Sequence, residues 1–186
     1  MPSSYDVIII GSGPAGIFAA LELVRKTRLK ILMIEKGSDI EKRSCPMADA
    51  SVPCVRCDLC GILCGWGGAG AYSDGKLTLT PDVGGWLKDY LPADEIFPLI
   101  EYVDAVYRSF GAHDGVHGED QEAISRLKKK AATYNLELIP AKLRHIGTEL
   151  CREVLREFKR ELNGKLEIIF DTPVCRVRVK DGVMRG

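Results

Sequence analysis

Residues 5–37 read YDVIIIGSGPAGIFAALELVRKTRLKILMIEKG, and this stretch decides the fold. Tyr5–Ile10 is a short, β-branched run that ends in Gly-Ser-Gly-Pro-Ala-Gly, residues 11–16. From Pro14 to Lys26 the apolar residues Ile17, Leu21 and Val24 recur at helical spacing, which predicts a helix with one face on a sheet. Pro14 suits the first helical turn, where its missing N–H costs nothing. Leu29–Glu35 is nearly all apolar, as a parallel strand covered on both faces should be. Strand, glycine turn, helix and strand make a βαβ unit. G-x-G-x-x-G alone is a weak signal; here it follows a strand, opens a helix, and Glu35 closes the next strand about 20 residues later. Gly11 permits the tight turn, Gly13 lets the backbone approach a pyrophosphate, and Gly16 lets helix and strand pack closely. The free N–H groups and positive dipole end of the helix then face the phosphates. Glu35 can accept hydrogen bonds from ribose hydroxyls. The candidate dinucleotide-binding residues are Gly11, Ser12, Gly13, Pro14, Ala15, Gly16, Glu35 and Lys36.

Composition narrows the class. With 186 residues the chain can bury a core of its own. Its 26 basic and 26 acidic residues cancel, so nothing marks a nucleic-acid or anionic-membrane partner. No apolar run reaches the ~20 residues of a membrane span. Met-Pro-Ser-Ser-Tyr-Asp lacks the basic start of a secretory signal, so the expected compartment is the cytoplasm. Thiols stay reduced there, and seven cysteines point to metal or redox chemistry rather than disulfides. Cys151 and Cys175 fit helical and strand core positions and read as inert.

Beyond the βαβ unit, Ser38–Gly85 is irregular and too long to be idle. Asp94–Phe110 and Glu119–Tyr134 read as helices, Leu136–Pro140 as a short strand, and Gly147–Leu162 as an amphipathic helix. Leu166–Phe170 reads as a strand. Val174–Lys180 alternates, with Cys175, Val177 and Val179 opposite Arg176, Arg178 and Lys180, and Asp181-Gly182 is a hairpin signal. The expected architecture is α/β: a Rossmann-like FAD/NAD(P)-binding βαβ core (1–44 and 164–186), a long Cys/Gly-rich loop (45–85) and a helical insertion (86–163).

Spacing does not choose between FAD and NAD, but resemblance does. The segment YDVIIIGSGPAGIFAALEL…ILMIEKG is similar to the N-terminal FAD-binding segment of the glutathione-reductase-like flavoprotein superfamily. More narrowly, GWGGAGAYSDGKLTL (65–79) and RHIGTE (144–149) resemble a largely uncharacterised family of FAD-dependent dehydrogenases. The resemblance implies FAD as cofactor and NAD(P)H as an electron donor. It also implies that the segment after the returning strand holds the adenine through its backbone, which falls on Val174. In related flavoproteins the glycine-rich segment lies along FAD, which here falls on Gly67, Gly68, Ala69 and Gly70. Trp66 and Tyr72 would anchor that segment. Ser73, Asp74 and Lys76 can face the flavin ring, although a turn at Asp74-Gly75 explains them almost as well.

Immediately before those glycines stands CVRCDLCGILC, residues 54–64. Cys54-x₂-Cys57-x₂-Cys60-x₃-Cys64 has the spacing of the bacterial ferredoxin run, in which thiolates two residues apart reach different irons of one cluster. That run ends in Cys-Pro, however, and the chain's Cys-Pro is Cys45-Pro46. The fourth ligand of a [4Fe–4S] cluster can therefore be Cys45 or Cys64. Zinc more often draws on two separated Cys-x₂-Cys knuckles. A redox thiol pair needs only two of the five cysteines. Cluster, zinc and redox pair stay open at this point, as does simple packing of small residues.

His113 and His117 lie four apart without a third ligand nearby and read as solvated loop residues. His145 precedes a helix and is either a substrate or flavin contact or a packing residue, while Arg126–Lys130 reads as a solvated helix face. Two functions follow. One is an FAD-dependent oxidoreductase with a small-molecule substrate and an electron-transfer partner, the flavin supplying the chemistry. The other is a non-catalytic cofactor- or metal-binding module. The hairpin signal so close to Gly186 adds the expectation that the chain is the N-terminal part of a longer flavoprotein, with Val177 and Val179 on an unpaired edge.

Overall fold

The computed structural model describes residues 4–47, 53–113, 115–181 and 183–184. In chain order its regular elements are β1 (Val7–Ile10), α1 (Pro14–Lys26), β2 (Ile31–Ile34), β3 (Lys76–Thr78), α2 (Ala93–Ser109) and β4 (Val116–His117). They continue with α3 (Gln121–Ala132), β5 (Leu143–His145), α4 (Thr148–Leu162), β6 (Glu167–Ile169), β7 (Val179–Lys180) and β8 (Val183–Met184). No described helix is long and apolar enough to cross a membrane. The chain divides into two compact units, 1–72 with 155–186, and 73–154.

The first unit is built on a parallel sheet of order β1-β2-β6. Val7 pairs with Ile31 and Ile10 with Ile34, while Leu32 pairs with Glu167 and Ile34 with Ile169. Parallel pairing needs a crossover of a dozen or more residues, and α1 supplies the one between β1 and β2. Ile31, Leu32 and Met33 are buried, as the central strand of a covered sheet should be. Ile17, Ala20 and Leu21 bury the inner face of α1. From the last turns of α4, Phe158 meets Phe18 edge to face at 5.9 Å, and Leu162 is fully buried.

The second unit carries an antiparallel sheet of order β3-β5-β4. The helix α3 starts at Asp120, whose side chain accepts from the Ala123 N–H at 2.9 Å. Its charge run 126–130 is exposed, as a solvated face should be.

Three elements differ from the sequence reading. Leu136–Pro140 forms no strand; the strand is Leu143–His145, with Arg144 buried in it. Lys76–Thr78, inside the stretch read as irregular, pairs with that strand. Of Val174–Lys180 only Val179–Lys180 is strand, in a short hairpin with Val183–Met184. Cys175 is therefore exposed rather than a core residue. Gly182 of the hairpin signal and the terminal Gly186 lie outside the described residues.

Candidate functional site

The site begins at the turn between β1 and α1. Gly11 donates to the Ile34 carbonyl at 2.8 Å, joining the glycine turn to the end of β2. Gly13 caps α1 without a side chain, and Pro14 opens the helix. A Cβ on Gly16 would lie 2.0 Å from the Gly11 carbonyl oxygen, so only glycine fits where helix and strand meet. Cβ atoms on Gly11 and Gly13 would meet nothing within 4 Å, which leaves open space over the turn for a group such as a pyrophosphate. Pro14 and Ala15 are exposed there. Ser12 is buried and points inward, to Glu35.

Glu35 ends β2 and is only 5% exposed. Its Oε2 accepts from the Ser12 N–H at 2.7 Å and the Ser12 hydroxyl at 3.0 Å. Its Oε1 accepts from the N–H groups of Gly37 at 2.8 Å and Gly65 at 3.0 Å. Burial by itself would raise this carboxyl's pKa, but the donors around it outweigh burial and hold it below the ordinary value. The carboxylate therefore ties the glycine turn to the glycine-rich segment. Lys36, next in the chain, is exposed.

The glycine-rich segment rests directly on the turn. The Gly67 N–H donates to the Ser12 carbonyl at 2.8 Å, and a Cβ on Gly68 would stand 3.4 Å from the Gly13 Cα. Gly65, at φ +111, reaches Glu35 in a conformation that L side chains rarely adopt. Trp66 is fully buried, and its indole N–H donates to the Leu155 carbonyl at 2.7 Å. Ala69 is exposed and Gly70 half-buried, in the 3-10 turn Gly68–Tyr72. Val174 is exposed in the irregular stretch after β6.

Arg43 is the residue the sequence did not single out. Its guanidinium donates to the carbonyls of Gly61 at 3.0 Å and of Ile62, Trp66 and Gly68 at 2.7 Å each. It also lies over the Tyr72 ring, 5.0 Å from the centroid, and the Tyr72 hydroxyl donates back to the Arg43 carbonyl at 2.9 Å. Buried arginine is rare unless it is paired, and here backbone carbonyls and one aromatic ring are its partners. One side chain thus folds the segment between the cysteines and the glycines.

The cysteines divide between two neighbouring cavities. Cys45, Cys54, Cys57 and Cys60 line one of about 110 Å³, together with Arg56 and Ile62 among others. Cys64 lines another, of about 140 Å³, with Ser38, Arg43, Ser44 and Cys57. Among the described residues, no three His, Cys, Asp or Glu side chains are grouped so as to hold a metal ion. His113 and His117 are exposed.

In the second unit, Asp74 pairs with Lys76 at 2.6 Å, and the Ser73 hydroxyl accepts from the Gly75 N–H at 3.2 Å. His145 is exposed on β5, opposite Lys76. Cys151 is buried, and burial pushes its thiol pKa up despite a hydrogen bond with Ser73; a thiol so placed is a poor nucleophile.

Residues 5–53 match the family described as pyridine nucleotide-disulphide oxidoreductase. The matched stretch contains β1, the glycine turn, α1, β2 and Glu35. An uncharacterised protein of Clostridium beijerinckii is 31% identical over 183 residues, which is 96% of this chain and 27% of that protein. The chain thus spans about a quarter of the length of the curated relative it matches. L-amino acid deaminase from Proteus vulgaris is similar in structure at a TM-score of 0.48 and 14% identity, over 99% of this chain and 44% of that one. Glycine oxidase from Bacillus cereus is similar at a TM-score of 0.42 and 16% identity, over 96% of this chain and 49% of that one. Likeness at that level assigns neither activity nor substrate to this chain.

Proposed function

We propose that the chain is the FAD-binding part of an FAD-dependent oxidoreductase, a dehydrogenase, with a cysteine-built redox or metal site beside the flavin. The observation that carries the reading is the open glycine turn at the start of α1, closed from behind by Glu35 and by the glycine-rich segment. The match of residues 5–53 to an oxidoreductase family supports it. Gly11–Gly16 would hold the pyrophosphate at the N-terminus of α1, where the open turn and the dipole end of the helix face it. Glu35 would take a ribose hydroxyl, with Lys36 beside it. Its oxygens already accept four hydrogen bonds, so that hydroxyl shares an oxygen with an N–H donor or replaces one. Gly67–Gly70 would lie along the cofactor, and Val174 would meet the adenine with its backbone. FAD, when bound, supplies two-electron transfer, with NAD(P)H the electron donor the family description suggests.

Titration with FAD, followed by flavin fluorescence, tests the reading. We expect saturation at one FAD per chain, unaffected by an equal concentration of NAD⁺. Glu35→Ala should weaken binding by about 1–3 kcal/mol, through lost hydrogen bonds. Binding of NAD⁺ in place of FAD, or no flavin binding at all, would overturn it. Anaerobic bleaching of the bound flavin by NADH or NADPH separates an oxidoreductase from a module that only carries the cofactor.

A further inference from the structure

We propose that Cys45, Cys54, Cys57 and Cys60 are the four ligands of a [4Fe–4S] cluster, and that Cys64 is not one of them. The assignment rests on the reading of the cysteine loop as a redox or metal site. Spacing alone leaves Cys45 and Cys64 equivalent as fourth ligands, but the fold separates them. Cys45 lines the same cavity as Cys54, Cys57 and Cys60; Cys64 lines only the neighbouring one, which it shares with Cys57. The placement of Cys64 has a cause. A Cβ on Gly37 would stand 2.5 Å from the Cys64 carbonyl carbon, so the Cys64 backbone is packed against the end of β2. The next residue, Gly65, is fixed to Glu35. Cys64 is therefore tied to the nucleotide side of the loop, and Cys45 to the cysteine side.

The shared cavity also bears on the kind of group. A cubane gives each thiolate its own iron, so its four sulfurs stand farther apart than four ligands around one ion. Four cysteines line one cavity here. Between Cys54 and Cys57, Arg56 takes a left-handed backbone conformation at φ +50. A cluster bound by four thiolates is anionic, and Arg56 lines the same cavity as a counter-charge.

The test is iron, sulfide and zinc analysis of the chain made and purified without air, beside Cys45→Ala, Cys54→Ala and Cys64→Ala. Far-ultraviolet circular dichroism and FAD titration of each variant report folding and the flavin site independently. We expect about four irons and four sulfides per chain in the parent and in Cys64→Ala. Both should be lost in Cys45→Ala and Cys54→Ala, with circular dichroism unchanged. Iron kept in Cys45→Ala and lost in Cys64→Ala would overturn the ligand set while leaving a cluster. Stoichiometric zinc without sulfide would overturn the cluster. A metal-free protein whose thiols pair reversibly would overturn the metal site altogether. None of these outcomes touches the FAD reading, which stands or falls on the titration.

Discussion

Glu35 and Arg43 are both buried, and both are charged in a region of turns and glycines. Glu35 was legible because its position after a strand and a glycine turn is a recurring one. Arg43 was not, because it falls in Ser38–Gly85, a stretch with no periodicity to mark a buried side chain. Its partners are backbone carbonyls, which a sequence does not display. The two residues act from opposite sides: Glu35 collects N–H groups and Arg43 collects C=O groups of the same loop. The depressed pKa of Glu35 makes its contribution dependent on pH. It is fully present above the unfolded value, near 4.5, and is lost as pH falls through the lower folded value. Glu35→Gln should therefore destabilise the fold by about 2–4 kcal/mol at pH 7, where backbone donors lose their charged acceptor. The gap should narrow at acid pH, where the parent carboxyl is itself protonated. Urea unfolding at the two pH values measures both, and an equal gap at each would remove the charge from the account.

At the scale of elements, β1, α1 and β2 were legible because long-period patterning and burial agree. The second unit was less so. Leu136 and Ile139 looked like strand residues but are 65% and 57% exposed. The actual strand, β5, buries Arg144, which apolar patterning counts as surface. Arg144 is acceptable inside because its guanidinium grips Asp104 of α2 with two bonds, at 2.6 and 2.8 Å. β3 is only three residues long, and pairing with β5 rather than any periodicity selects it. Asp104→Asn leaves Arg144 buried without its counter-charge and should cost about 3–5 kcal/mol. Asp104→Leu with Arg144→Met should recover much of that loss, because two apolar side chains need no pairing. Thermal unfolding of the three proteins checks it. A double variant no better than the single one would mean that the pair contributes specific geometry as well as charge balance.

On the scale of the whole molecule, the charges cancel and, among the described residues, β1 is an edge strand of the parallel sheet. Among the described residues it has a partner on one side only, and its Ile8 and Ile10 are 40% and 55% exposed. The edge expected from sequence was Val174–Lys180, where Val177 and Val179 are exposed but little strand forms. An apolar edge with no net charge to oppose contact favours association. We expect the chain to self-associate with rising concentration near neutral pH. Ile10→Lys should shift sedimentation velocity profiles toward the monomer by placing a charge on the edge. An unchanged profile would remove β1 from the contact.

Glu35 is one anion shared by two walls, with Ser12 on one oxygen and Gly65 on the other. Thermodynamic reciprocity then applies to whatever those walls enclose. A ligand that stiffens the cysteine loop by some factor in affinity receives the same factor back from a ligand seated on the glycine turn. Cofactor loading becomes a matter of order and supply. The first group to arrive lowers the ordering cost for the second.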